Sequence, residues 1–440
     1  MTDLKQASEA DSEPQTLVTT PAATSVNHRF RQLPGSLARM FGASTISSVG
    51  DGLLVAGAPL MALTLTHSAI LIAGVAAAGR LPNFVLALPL GALADRVDKK
   101  RLLISAELLA AAVLAAFVGL VAVGAASIPT LYVTVFVLGA ASYTFNLTLA
   151  AVCLTVVDPE SLPTFNGYRM GAYIIGEEFA GPGAGGLLAA VSTYLPFLGD
   201  AVSFVVSLVL VWRIDPPEVT VTSSNSTGWR DLVDGLKWFW GRPLQRTVCL
   251  TVACLALCQA AVLAVLVLLA TQDMHLSRSE YGYFLAIAAI GQIFGYFWGG
   301  KVYHRIGASA SIVGAGFVAA CCYIGLSYAS QVPVADLLLA VEGAVVGVGD
   351  SAASSLTQLN TPDEMRGRSL SAFQMAVMGF VPIGSVVGGV LAHATSVRTA
   401  MLIAGAAQLI AVLVLAAPVI AVAKRAAHGA PLRRRRAGRG

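Results

Sequence analysis

The amino-acid sequence predicts an all-α integral membrane protein with twelve transmembrane helices in two halves of six. Three observations support this prediction. Apolar residues make up 56% of the 440 residues and charged residues only 12%, against about 25% charged in an ordinary soluble domain. Twelve mostly apolar runs each approach the roughly 20 residues that a helix needs to cross a bilayer. One long break, from Arg213 to Arg246, separates six runs from six.

The runs follow one another with short breaks that carry turn signals, such as Ser127-Ile128-Pro129. Their centres lie near Asp51, Leu81, Val113, Ala141, Glu178, Ser203, Gln259, Gly291, Val318, Val345, Val381 and Ile410. The domain organisation that follows is a disordered cytoplasmic extension over 1–36, an N-terminal half over 37–213, a linker over 214–246, a C-terminal half over 247–422 and a basic tail over 423–440. Within the linker, apolar residues at helical spacing between Trp229 and Trp240 predict an amphipathic helix at the membrane interface.

Basic residues predict the orientation. The Arg96–Arg101 cluster, the linker and the Arg433–Arg436 tail all fall on the side of the N-terminus, whereas the other face keeps only Arg278 and Arg398. Because Lys and Arg are enriched in cytoplasmic loops, both termini are expected in the cytoplasm.

The densest charge cluster is Gly91-Ala-Leu-Ala-Asp-Arg-Val-Asp-Lys-Lys-Arg101, between the second and third runs. It cannot lie in hydrocarbon, so it marks a tight turn at a membrane face. Its pattern resembles the loop signature of the major facilitator superfamily, although a basic loop of another polytopic protein is the alternative. The matching positions predict a gating loop made of Gly91, Asp95, Arg96, Lys99, Lys100 and Arg101. The resemblance implies that Asp95 latches the two halves, and we expect it to dock near Gly367–Ser371.

Two further stretches refine the resemblance. Gly50-Asp-Gly52 in the first run and Pro362-Asp-Glu-Met-Arg-Gly-Arg368 are most similar to the branch that contains siderophore and macrolide exporters. This implies a multi-pass transporter of the bacterial inner membrane and not an enzyme. It would have no cofactor, take energy from the proton gradient, and have a small-molecule substrate and the lipid bilayer as partners. We do not expect nucleic acid as a partner. We expect a monomer, although the sequence is silent on oligomeric state.

A glycine-rich motif lies in the fifth run: Gly181, Pro182, Gly185 and Gly186. It resembles the antiporter motif G-P-x-x-G of the superfamily's exporters, with Glu177 in place of an expected glycine. Small residues four apart let helices approach closely, and proline favours a bend. A packing face without bearing on transport direction is the alternative.

Ionisable residues inside the predicted spans are the strongest functional candidates, because each is costly in the bilayer unless paired or facing water. A carboxyl in an apolar cavity can load and release a proton near neutral pH. The proton-coupling candidates are Asp51, Arg80, Glu177, Glu178, Glu342 and Asp350. Asp51 and Arg80 share mid-membrane depth, so they are expected to form an ion pair, either static or proton-linked. Asp350 is a candidate for a cytoplasmic gate as well. For Glu107 and Asp200 a structural role is favoured.

Neutral polar and aromatic residues at similar depth are candidates for the substrate cavity, although helix packing is the favoured interpretation for each one taken singly. These are Asn146, Tyr143, Tyr173, Gln259, Gln292 and Gln374.

Other chemistries find no support in the sequence. The glycines from Gly181 to Gly186 also fit a dinucleotide fingerprint, but they follow no strand. The six cysteines lie in apolar runs without metal-ligand spacing. The predicted function is proton-coupled export of a small amphiphilic compound such as a siderophore, macrolide or other drug. The alternatives are a nutrient importer of the same fold and a membrane sensor or scaffold without transport.

Overall fold

The computed structural model describes residues 35–87, 89–90, 93, 97–156, 162–213, 237, 239–362 and 366–429. Within these residues all regular structure is helical and there is no strand. The chain is therefore all-α, as the sequence predicts. Most of the predicted extension, linker helix and tail lie outside the described residues.

The helices before the long break form what we call the N-half. In chain order they are α1 Gly35–Leu65, α2 Ala69–Arg80, α3 Pro82–Val85, α4 Lys99–Ala122, α5 Ile128–Val156, α6 Leu162–Tyr173, α7 Gly181–Val191 and α8 Leu195–Trp212. Between α6 and α7 the segment Ile174–Ala180 is a π-helix.

The helices after the break form the C-half. They are α9 Pro243–Leu268, α10 Arg278–Ile306, α11 Ala308–Tyr328, α12 Val332–Leu359, α13 Arg366–Ala394 and α14 Val397–Gly429. Residues Leu269–Asp273 extend α9 as a π-helix. The last helix runs into the stretch assigned to the tail, because the strong helix formers Ala, Lys and Arg follow residue 422.

Ten helices in the described part of the chain are long and apolar enough to cross a membrane by length and composition: α1, α4, α5 and α8 to α14. Ala69–Val85 is a shorter apolar segment, broken at Leu81 between α2 and α3. The fifth predicted run is divided between α6, the π-segment and α7. The prediction of an all-helical membrane protein is therefore confirmed. Two of the twelve predicted runs, the second and the fifth, are interrupted helices.

Packing within each half places long helices side by side. In the N-half α1 packs against α7 and α8, and in the C-half α10 packs against α12, α9 against α13 and α11 against α14. The halves touch chiefly through α2 with α13 and α7 with α10. The large buried side chains of the main core come from both halves, for example Phe117 and Tyr323.

Candidate functional site

The charged centre of the N-half is an ion pair between Arg80 at the end of α2 and Glu177 in the π-segment. The Arg80 Nη2 atom lies 3.3 Å from Glu177 Oε1, with 43% and 12% of the two side chains exposed. The Tyr173 hydroxyl lies beside the Arg80 guanidinium, and Glu178 is within electrostatic range of it. The Arg80 guanidinium therefore interacts with two acids of the π-segment, Glu177 by direct contact and Glu178 at longer range.

Asp51 has a different partner from the one predicted. Its Oδ1 accepts a hydrogen bond of 3.0 Å from the Ser142 hydroxyl of α5. The expected ion pair between Asp51 and Arg80 is wrong, because Glu177 takes the guanidinium instead. Asp51 and Arg80 still lie within electrostatic range. Because Asp51 and Arg80 share the same depth on neighbouring helices, they lie near one another. Depth alone does not determine which atoms are in contact.

The reason for this exchange of partners is the close packing of the π-segment on α1. A Cβ atom added at Gly52 would lie 2.6 Å from the Gly176 carbonyl oxygen and 2.8 Å from the Glu177 Cα. Only glycine leaves that space, so the backbone of Glu177 lies directly against α1. Pro182 adds to the distortion: it has no amide N–H for the carbonyl of Glu178, four residues earlier. A π-turn is a known response to such a defect, often at functional sites.

Glu178 faces a different direction from Glu177. Its Oε2 atom is buried and has no hydrogen-bond partner among the described residues. It is within electrostatic range of Asp350 and Tyr296 of the C-half. The Tyr296 hydroxyl donates a 3.2 Å hydrogen bond to Asp350 Oδ2. Glu178 and Asp350 therefore approach one another across the interface between the halves.

Glu342 forms a separate centre inside the C-half. Only 2% of its surface is exposed. Its Oε1 accepts hydrogen bonds from the Tyr323 hydroxyl of α11 at 2.5 Å and from Gln259 Nε2 of α9 at 3.1 Å. No described residue gives Glu342 an ion pair. This acid belongs to the interior of one half rather than to the interface.

The glycine-rich motif places α7 between both halves. A Cβ added at Gly185 would lie 2.3 Å from the Leu53 carbonyl oxygen of α1, and one at Gly181 2.4 Å from the Gly52 Cα. On the other side, a Cβ at Gly186 would lie 2.7 Å from the Gly282 Cα of α10. Pro182, at the start of α7, is buried. Close backbone contact on two faces explains the small residues.

The halves meet tightly at one end of the bundle, opposite the charged loop before α4. There Arg278 Nη1 donates to the Ala189 carbonyl oxygen at 3.3 Å. At the same end, a Cβ added at Gly389 of α13 would lie 2.7 Å from Ala73 Cβ of α2. Among the described residues, these contacts and the Gly186–Gly282 contact form the closed end.

A family model described as transmembrane secretion effector matches residues 33–432. The chain belongs to this family of major facilitator transporters. It is a multi-pass membrane transporter, and its family and structural neighbours are transporters rather than enzymes. A search of curated proteins found no match.

Solved structures with the same fold share little sequence with this transporter. The nucleoside transporter NupG has a TM-score of 0.69 at 14% identity, covering 87% of this chain and 98% of that one. A bacterial homologue of the iron transporter ferroportin, in an inward-facing state, has a TM-score of 0.69 at 17% identity, covering 89% and 99%. The D-xylose–proton symporter has a TM-score of 0.67 at 13% identity, covering 86% and 96%. Such low identities establish the fold alone.

The neutral cavity candidates of the transporter are distributed over both halves. Tyr173 joins the Arg80 centre, Gln259 joins Glu342, and Gln292 lies beside Tyr296. Asn146 Nδ2 donates to the Ser142 carbonyl oxygen of its own helix at 3.0 Å. Tyr143 is half-buried and Gln374 is exposed.

Half of the predicted gating loop lies outside the described residues, namely Gly91, Asp95 and Arg96. The remaining Lys99, Lys100 and Arg101 form the first turn of α4. That turn is capped by Asp98, whose Oδ1 accepts from the Arg101 amide at 2.8 Å. The docking of Asp95 thus stays a prediction.

Sequence reasoning missed the hydroxyl partners of the acids. Ser142, Tyr296 and Tyr323 hold Asp51, Asp350 and Glu342 respectively. A serine in an apolar helix gives no signal, because it usually bonds its own backbone. The two tyrosines could have been suspected, since a buried hydroxyl needs a partner. Within the described residues there is no group of three or more potential metal ligands.

Proposed function

We propose that this transporter is a proton-coupled exporter of a small amphiphilic compound that works by alternating access. The observation that carries the proposal is the Arg80–Glu177 ion pair beside Asp51, on helices that meet the other half. A guanidinium shared between acids can change partners when one of them takes up a proton. The loss of one charge then weakens one contact and favours another arrangement of the helices.

The direction of transport is proposed from the family description, which is one of secretion. The resemblance of Gly50-Asp-Gly52 and of Pro362–Arg368 to siderophore and macrolide exporters supports the same direction. The substrate we propose is therefore a siderophore, macrolide or other drug. Energy would come from the proton gradient, without a cofactor.

For the membrane arrangement we propose twelve crossings in the bacterial inner membrane with both termini in the cytoplasm. The two broken segments, α2–α3 and α6–α7, would be the second and fifth crossings. The charged loop before α4 then lies on the cytoplasmic side, and the tight contact at Gly186 and Gly282 on the outside. In this arrangement the contacts between the halves at Gly186, Gly282 and Arg278 would close the outer end.

The deciding experiment compares Asp51→Asn with the parent protein in an efflux-deficient bacterial strain. Growth across a panel of antibiotics and under iron limitation identifies the cargo, and energised export is then measured. We expect Asp51→Asn to abolish gradient-driven export while the protein still inserts. Glu280→Gln, an exposed acid in the first turn of α10, is the matched control and should export normally. Normal export by Asp51→Asn, Glu177→Gln and Glu178→Gln together would eliminate proton coupling through these groups.

Direction and topology have their own tests. Accumulation instead of extrusion of the cargo would favour a nutrient importer, and absence of any transport would favour a sensor or scaffold. A reporter active only in the cytoplasm should work after Arg436 and within Thr220–Ser226, and fail near Ser127 and Gln331. Activity at the last two sites would reverse the orientation.

A further inference from the structure

The buried face of α8 carries a polar chain that the proposed mechanism does not use. Asp200, Ser203 and Ser207 recur at helical spacing on this face, and Asp200 and Ser207 are both 0% exposed. The Ser203 hydroxyl is shared between the Asp200 carbonyl oxygen at 2.8 Å and Asp200 Oδ1 at 3.1 Å. One turn further along, the Ser207 hydroxyl donates to Glu107 Oε1 of α4 at 2.9 Å. Two acids thus each have one oxygen held by a serine.

Helix α1 is pressed against this chain at the residue before Asp51. A Cβ added at Gly50 would lie 1.9 Å from the Ser203 Oγ and 2.4 Å from Asp200 Oδ1. Any larger residue would displace the acid. The first glycine of the Gly50-Asp-Gly52 motif therefore makes room for Asp200, just as Gly52 makes room for the π-segment. Asp51 lies between the two contacts.

The second oxygen of each acid is buried without a partner. Among the described residues, neither Asp200 Oδ2 nor Glu107 Oε2 has a hydrogen bond. Glu107 is only 1% exposed. In the described part of the chain, the charged groups within range of Asp200 are all acids, namely Asp51 of α1, Glu107 of α4 and Glu177 of the π-segment. Arg80, the cation within electrostatic range of Asp51, is already paired with Glu177.

An ionised carboxylate in such a place has no cation to offset its desolvation, which amounts to several kcal/mol per ion. A proton on each carboxyl would remove this cost, because the neutral form is far less expensive to bury. A purely structural acid would be expected to use both of its oxygens, since buried polar atoms are nearly always hydrogen-bonded. The sequence alone favoured a structural role for these two residues. The unpartnered oxygens argue against it.

We propose that Asp200 and Glu107 are a second proton-binding site, placed inside the N-half and exchanging protons with Asp51. The proposal rests on the proton coupling proposed above. In the exchange, the proton on Asp200 Oδ2 passes to the ionised carboxylate of Asp51, which leaves Asp200 ionised and Asp51 neutral. Glu107 returns a proton to Asp200 in the same way. Ser203 and Ser207 hold the other oxygens, so the unpartnered atoms are the ones that gain and lose protons.

The experiment is infrared spectroscopy of the purified full-length protein in detergent over a series of pH values. A protonated carboxyl absorbs separately from a carboxylate, so each buried acid contributes its own band. We expect Asp200→Asn and Glu107→Gln each to lose one protonated-carboxyl band at neutral pH. The control Asp98→Asn, an exposed acid, should lose none. In the parent protein both bands should disappear reversibly as the pH is raised.

Interaction with Asp51 is tested in the same spectra. In Asp51→Asn the Asp200 band should disappear over a different pH range, because two nearby carboxylates repel one another when both are ionised. An unchanged range would overturn the exchange with Asp51. If Asp200→Asn does not give a monodisperse protein, Glu107→Gln is used instead, and it too should lose one protonated-carboxyl band.

Three results would overturn the proposal. No lost band in either variant would mean that the acids are ionised. Bands that persist at every pH would mean permanently neutral, structural acids. A band abolished by sodium chloride but not by choline chloride would mean a sodium site. These outcomes do not depend on transport: if the bands behave as expected while Asp51→Asn, Glu177→Gln and Glu178→Gln all export normally, the proposed coupling fails and the proton site remains.

Discussion

The buried acids of the two halves of the transporter have different neighbouring groups. In the N-half, Arg80 pairs with Glu177 and lies within electrostatic range of Asp51 and Glu178. In the C-half, Glu342 and Asp350 are held by neutral donors from Tyr323, Gln259 and Tyr296. A neutral donor fixes an acid in place whichever neighbour moves. A shared cation instead interacts with several acids, so a change in the charge of one acid alters the electrostatic energy of the others. We therefore propose that the N-half carries the coupling and that the C-half supports it.

The largest expected effect contrasts Glu177→Gln with Glu342→Gln in the energised export assay. Glu177→Gln removes the partner of Arg80, and we expect a loss of about tenfold or more in rate, which corresponds to about 1.4 kcal/mol. Glu342→Gln keeps the size of the side chain and an oxygen that accepts from Tyr323, so it should retain most of the activity. If Glu342→Gln is as inactive as Glu177→Gln, the contrast between the halves fails.

The next effect concerns the support assigned to the C-half. Tyr323→Phe removes a fully buried hydroxyl from Glu342, and leaving such an acceptor short of a donor costs about 1 to 3 kcal/mol. The variant should unfold at a lower temperature in detergent. Tyr328→Phe is the control, because Tyr328 is 70% exposed and lies at the end of the same helix. Equal unfolding temperatures for the two variants would contradict the supporting role of Tyr323.

A smaller effect tests the pairing in the N-half. The double variant Arg80→Glu with Glu177→Arg should recover folding and export relative to either single change. The double-mutant coupling is expected near the low end of about 0.5 to 3 kcal/mol, because Arg80 is partly exposed and solvent weakens the attraction. The matched comparison is the swap between Asp51 and Arg80. Better recovery there than in the Glu177 swap would reinstate the pairing predicted from the sequence.

The smallest effect concerns the gating loop, which also differs between the halves. Asp95 of the N-half corresponds to Tyr303 of the C-half, so only one half has the acid. A carboxylate at a helix N-terminus contributes roughly 0.3 to 1 kcal/mol, enough to shift a balanced equilibrium by up to about fivefold. Asp95→Asn should favour the inward-open state, seen as faster labelling of a cysteine placed at Asn146. Tyr303→Phe should not change labelling. Unchanged labelling in Asp95→Asn together with lost transport would reject the latch.

Much of the fold follows from local features of the sequence. The shortage of charge, the length of the apolar runs and the loop from Gly91 to Arg101 predict a helical membrane protein of this superfamily, and the family match and the helices agree. The broken fifth run was not foreseen. Pro182 suggested a bend, but a π-segment that carries Glu177 and Glu178 depends on how closely α1 approaches, which no local pattern reports.

The sequence by itself determined how deep each candidate residue lies, because a helix rises about 1.5 Å per residue whatever surrounds it. Asp51, Arg80 and Glu177 were placed at mid-membrane on that basis alone. Only the tertiary structure decided which of them meet. The direction of a side chain around its helix, and the helix that faces it, are set by packing contacts such as Gly52 against Gly176 and Gly50 against Ser203. These contacts join residues more than a hundred positions apart. They decide that Arg80 pairs with Glu177, that Asp51 bonds Ser142, and that Asp200 packs against the first helix.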